Sequence, residues 1–171
     1  PAMRRLNVVL CNERLLFRYG VDRILIALAK ALLAEGHDVR LLCLRCDEAV
    51  HETFGARVRT LDALAGVELF SAERLAEEAM REAYRCADPR PDVIVAGGWP
   101  FFSTALFGLE VRIPTIFIDA GAVPHDGLEG EALAIQRSVK RLRASALPYF
   151  TKILPISEFI RDSQTLPERG R

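Results

Sequence analysis

Short apolar runs set the strongest limit on what this chain can become. LNVVLCN (6–12), VRLLCL (39–44), DVIVAG (92–97), PTIFID (114–119) and KILPIS (152–157) are each of strand length and mostly continuous. A strand that alternates buries one face and wets the other. A continuous apolar strand must be covered on both faces, as a parallel strand is between two layers of helices. A sixth run, ARVRTL (56–61), alternates and is expected at a sheet edge.

Helical patterns fill the gaps between these runs. Val21, Ile24, Leu25, Leu28 and Leu32 are spaced as one helix face, and Gly36 is placed to end that helix in a left-handed cap. Residues 72–86 repeat the pattern, with Ser71 as the expected N-cap, Leu75, Ala79, Met80 and Ala83 inward, and Arg81 and Arg85 late in the helix. A shorter helix is expected near 101–110. A longer one near 129–147 would turn Ile135, Val139, Leu142 and Ala146 inward. Alternating strands and helices imply right-handed crossovers and an α/β fold: a doubly wound, mostly parallel, Rossmann-like sheet with helices on both faces. Ligands of such sheets collect at the C-terminal ends of the strands. A chain of 171 residues fits one such domain.

Charge and cysteine content narrow the function classes. The 23 basic side chains balance 23 acidic ones, so no overall field points to nucleic acid. No stretch has the length and apolarity of a membrane span, and no signal-peptide pattern opens the chain, which reads as cytoplasmic. Met3 is the expected natural start, with Pro1 and Ala2 outside it. Cys11, Cys43, Cys46 and Cys86 mostly sit inside apolar runs, as reduced thiols would. A zinc site at Cys43 and Cys46 would need two more ligands, and only His51 is near, so no metal is expected.

The segment after the first strand, NERLLFRYGVDR, places Gly20 just ahead of a helix N-terminus, where free N–H groups and the helix dipole attract phosphate. Glycine there would let an anion approach and would allow unusual backbone angles; a simple turn glycine is the alternative. Neither GxxxxGK[ST] nor GxGxxG follows the first strand, which speaks against P-loop kinases and ordinary dinucleotide binding.

The stretch YGVDRILIALAKALLAEGHDVRLL resembles the N-terminal signature of family 4 glycosyltransferases of the GT-B fold. PDVIVAGGWP and KILPISEFIRDS extend the likeness, the second resembling the family's sixth strand and Ser-capped helix. The resemblance implies a two-domain retaining enzyme that moves a sugar from a nucleotide-sugar donor to an acceptor, with no metal and no other cofactor. Residues 3–164 would be its Rossmann-like, acceptor-side domain, and 165–171 the start of an interdomain linker or the chain end. The donor-binding C-terminal domain, which in the family carries two glutamates eight positions apart, would be a missing partner; no glutamates here have that spacing. Tyr19 and Gly20 would form the donor-phosphate loop, although Tyr19-Gly20-Val21-Asp22 stands where the family has a double glycine and a glutamate. Many relatives carry a histidine after the fifth strand, where FIDAG holds Asp119.

Asp119 is therefore the expected catalytic residue, orienting an acceptor hydroxyl, with an Asx-turn as its structural alternative. Gly98 and Trp99, which end the fourth strand, and His125, on the loop beyond the fifth, are the expected acceptor-binding groups. The acceptor itself could be a glycan, a lipid-linked sugar or a small molecule. His37 and His51 are given structural roles. Arg137, Lys140, Arg141 and Arg143 read as a solvated helix face that suits the dipole, or as a contact for anionic lipid at the inner face of the membrane or for a phosphorylated acceptor. A reading without catalysis also stands: a stand-alone doubly wound domain that binds a nucleotide or small anion at the Gly20 loop.

Overall fold

Parallel pairing joins six strands into one sheet in the order β3-β2-β1-β4-β5-β6. The structure, a computed structural model, describes residues 4–61, 69–85, 90–121 and 125–163. Expectations for Met3, Cys86 and the 165–171 segment fall outside them. In chain order the elements are β1 (Asn7–Leu15), α1 (Gly20–Ala34), β2 (Asp38–Cys46), α2 (Glu48–Phe54), β3 (Val58–Thr60), α3 (Leu69–Arg85), β4 (Val93–Ala96), α4 (Thr104–Val111), β5 (Thr115–Asp119), α5 (Gly130–Ala146), β6 (Lys152–Pro155) and α6 (Glu158–Ser163). The alternating run 56–61 contributes the edge strand β3.

Continuity of the apolar runs has the expected cause, because neighbouring residues of each strand feed opposite cores. Val8 and Leu10 of β1 point into one cluster with Leu25, Ile26 and Ala29 of α1 and Val50 and Phe54 of α2. Val9 and Cys11 point into the other, with Ala76 and Met80 of α3, Ala105 and Phe107 of α4, and Phe150. Register keeps the layers aligned: Leu10 lies beside Leu41 of β2 and Val95 of β4. Burial pushes the Cys11 thiol far up, and its Sγ donates to the Val95 carbonyl at 3.4 Å. Among the described residues no helix is long and apolar enough to cross a membrane.

Several local expectations change. The inward face of α1 is rotated: Ile24 is exposed, while Ile26, Ala29 and the charged Asp22 are buried. Helix α3 already runs at Leu69, so Ser71 lies in its first turn and is not the N-cap. Strand β1 runs on past Asn12, where the apolar run ends, through Glu13 and Arg14, because β2 is long enough to pair with it as far as Leu15 and Cys46. Ile135 of α5 is exposed, whereas Val139, Leu142 and Ala146 pack on the core.

Helix ends follow their residues. Gly36 has φ +84°; its N–H donates to the Leu33 carbonyl at 3.0 Å and that of His37 to Leu32 at 2.9 Å, a paired C-terminal closure that glycine permits. Ser157 accepts the Ile160 N–H at 3.2 Å and so caps α6. The His37 ring accepts the Leu6 N–H through Nδ1 at 3.2 Å, a structural role.

Gly108 in α4 lets the helix lie directly on β5. A Cβ there would collide with the Thr115 side chain and come within 2.9 Å of the Ile113 carbonyl oxygen. Rotamer changes cannot move a carbonyl, so overpacking should outweigh the roughly 1 kcal/mol that alanine gains over glycine in a helix. Gly108→Ala is expected to lose about 1–2 kcal/mol in urea unfolding. Unchanged stability would mean that α4 slides freely on the sheet.

Candidate functional site

Strand order reverses between β1 and β4, and the crevice beyond the strand ends at such a reversal is where open α/β sheets bind ligands. A cavity of about 400 Å³ lies there. The overhang of β1, the loops after β4 and β5, the first turn of α1 and one face of α5 enclose it.

Its β1 side is pinned by a buried polar network. Asn12 Nδ2 donates to Asp22 Oδ1 at 3.0 Å and to the Arg14 carbonyl at 2.8 Å. Asp22 Oδ2 accepts the Leu16 N–H at 3.1 Å and stands 3.8 Å from Arg14 Nε. Burial raises the Asp22 carboxyl, opposed by the Leu16 N–H, by Arg14 and by Asn12. These bonds tie the strand overhang to the first turn of α1. Gly97 lies against the same network: a Cβ on it would stand 2.8 Å from both Asn12 Oδ1 and Leu25 Cδ1. Only glycine lets the end of β4 come this close.

The opposite side is built by α5, whose Gln136, Val139, Lys140 and Arg143 share one face through their i, i+3, i+4 and i+7 spacing. Arg143 Nη2 donates to Asp119 Oδ2 at 2.6 Å, and its guanidinium stands 5.9 Å from the Phe117 ring centroid. Asp119 is wholly buried, and its Oδ1 accepts the Gly121 N–H at 2.8 Å in an Asx-turn. Both carboxylate oxygens are thus engaged within the protein. Asp119 sits beneath the cavity wall as the support of Arg143, in the Asx-turn that was its structural alternative. The basic face of α5 divides accordingly: Arg137, Lys140 and Arg141 are exposed, while the Arg143 side chain retains 16% of its surface.

Of the other expected site residues, Gly98, Trp99 and His125 all line the cavity. Tyr19 and Gly20 do not. Gly20 borders a separate groove with Phe17, Arg23 and Lys30, and the Tyr19 ring lies under the Arg14 guanidinium, 4.3 Å from its centroid. The φ of Gly20 is not in the left-handed region, and a Cβ on it would meet nothing within 4 Å, so no backbone constraint demands glycine. Val21 and Asp22, the next two residues, line the cavity instead. Asn12 and Asp22 are the site residues that sequence reasoning did not single out, and Arg143 entered it only as one of four basic residues on α5. Asp22 carried a signal, a charge beside the apolar stripe of an otherwise well-packed helix. Arg143 carried none, since it reads like its basic neighbours.

Residues 19–164 match the family model of the glycosyl transferase 4-like domain. No curated protein matches the chain in sequence. Among solved structures, one described as a UDP-N-acetylglucosamine 2-epimerase from Listeria monocytogenes superposes with a TM-score of 0.61 at 12% identity, over 93% of this chain and 41% of that one. The likeness is one of fold, and the chain spans less than half the length of that protein.

Beneath the loop after β4, Glu73 of α3 accepts the Ser103 N–H and keeps Oε1 buried without a partner among the described residues. Burial pushes its carboxyl up to about 8, and the charge of Glu77 adds to the shift. A carboxyl that holds its proton more tightly folded than unfolded stabilises fully below its unfolded value, and that stabilisation is lost as pH rises through the folded one. Thermal midpoints should therefore fall between about pH 5 and pH 8. Glu73→Gln, which keeps an acceptor for Ser103, is expected to flatten that decline and to melt higher than the parent at pH 8. Parallel profiles for the two proteins would exclude Glu73 as the cause.

Proposed function

The chain belongs to the glycosyl transferase 4-like domain family, and from that premise we propose that it is the acceptor side of a glycosyltransferase whose donor is a nucleotide sugar. The observation that carries this reading is the cavity at the strand-order reversal, with the aromatic Trp99 beside the polar Asn12, Gln136, His125 and Arg143. A sugar ring needs both kinds of surface: an apolar ring face for its C–H groups and fixed polar groups for its hydroxyls. At about 400 Å³ the cavity suits a sugar-sized ligand better than a whole nucleotide sugar and acceptor together.

The donor would then come from outside this domain. A second domain facing the C-terminal edge of the sheet would bring the nucleotide sugar over the cavity, and closure would exclude water and align the sugar carbon with an acceptor hydroxyl. Transfer with retention and without a metal follows from the family resemblance and is part of the same proposal. Asp119 enters it as a positioning residue, because its carboxylate holds Arg143, which lines the cavity.

Two measurements test this division of labour. The 171-residue chain alone should release nucleoside diphosphate from nucleotide sugars far more slowly than about 1 per second, a rate ordinary for an enzyme. Turnover at or above that rate would refute the need for a second domain. In a longer natural chain that carries this domain, Trp99→Ala should raise the acceptor KM about tenfold and leave the donor KM unchanged. An equal rise in both would remove the cavity from the acceptor side.

A further inference from the structure

One wall of the cavity, the α5 face, brings two cationic side chains to it, Lys140 and Arg143. Arg143 and Trp99 both line it, and both side chains can only donate. Arg143 spends Nη2 on Asp119, while its Nε and the Trp99 Nε1 are buried without partners among the described residues. Lys140, one turn earlier on α5, adds a cationic side chain at the same wall. Asp119 anchors the guanidinium through Nη2 alone, and the Phe117 ring centroid lies 5.9 Å from it, so the fork is engaged by a single hydrogen bond to this carboxylate.

We propose that the acceptor sugar carries an oxyanion, a phosphate or a carboxylate, which seats against Arg143 and Lys140 on the α5 wall. This rests on the acceptor-side reading of the cavity. The acids of the opposite wall do not compete for the cations. Asp22 is held by Asn12 and the Leu16 N–H and faces Arg14, and burial raises the Glu13 carboxyl against the opposing pull of Arg14 and Arg45. That wall carries a cation of its own, Arg14, which is engaged with Asp22 and the Tyr19 ring. An anion at α5 would point the sugar's hydroxyls toward the β1 overhang and the open edge, where the donor would arrive. Direct contact with a charged group gives one orientation of the ring, which hydroxyls alone would not enforce.

The test is calorimetric titration of the 171-residue chain with glucose 6-phosphate, glucuronate and glucose at constant ionic strength. At least one charged sugar should bind about tenfold or more tighter than glucose. A preference for glucose 6-phosphate assigns phosphate, and one for glucuronate assigns carboxylate. Lys140→Gln, on an exposed side chain, should reduce the preference several-fold. Arg143→Gln alone would strand Asp119 as a buried charge and can fail to fold, so the Asp119→Asn, Arg143→Gln double variant is used, and it should abolish the preference. Equal affinity for glucose and both charged sugars would overturn the oxyanion and leave the sugar-acceptor reading standing. A preference that survives both variants would also overturn it, as would displacement of glucose 6-phosphate by UDP, which would place a donor diphosphate there. No binding of any of the three up to about 10 mM would overturn both readings. Anion preference in a longer natural chain that transfers no sugar would refute the glycosyltransferase reading alone.

Discussion

Burial of the sheet on both faces is the constraint on which the rest depends. A parallel strand cannot be followed by its neighbour without a crossover, and each crossover helix must hide an apolar face. Because β1 sends Val8 and Leu10 to one core and Val9 and Cys11 to the other, it has to lie inside the sheet with helices above and below. Successive strands then extend outward from it on both sides, β2 and β3 one way and β4 to β6 the other. The crevice that results at the reversal follows from this winding.

Where the two directions part, the packing changes from apolar to polar. The first turn of α1 and the overhang of β1 cannot bury Asp22 cheaply, and the structure offsets that cost with Asn12, the Leu16 N–H and Arg14. Across the cavity Asp119 and Arg143 meet the same requirement by pairing with each other and with the Gly121 N–H. The two networks differ in what they leave over. The first engages both oxygens of Asp22, and the second both oxygens of Asp119, while Arg143 Nε stays buried without a partner among the described residues.

Much of the architecture was legible because it depends on local pattern. Continuous apolar runs located the strands, and the glycine at 36 and the serine at 157 marked helix ends through requirements that belong to one turn of backbone. Trp99, Gly98 and His125 were placed at the cavity by a topological rule, since loops after β4 and β5 must open on the C-terminal edge. Gly20, expected at a donor-phosphate loop, lies outside this cavity for the converse reason. A helix N-terminus marks where an anion could bind, but the distance from Gly20 to the cavity is set by the unforeseen length of β1 and by the turn that follows it.

The sequence by itself determined that this chain forms a helix-covered parallel sheet, at which end of the sheet the loops gather, and which loops these are, because strand continuity, helix periodicity and cap residues act within a few positions of one another. Only the tertiary structure decided which charges are buried and with whom. Asp119 and Arg143 are 24 positions apart and meet because α5 returns across the end of β5. Along α5 itself Arg143 is indistinguishable from the exposed Arg137 and Arg141; helical periodicity gives the side of the helix a residue occupies and says nothing of what stands opposite. The free energy of a buried ion depends on that opposite group, and so the role of Arg143 was settled by the fold.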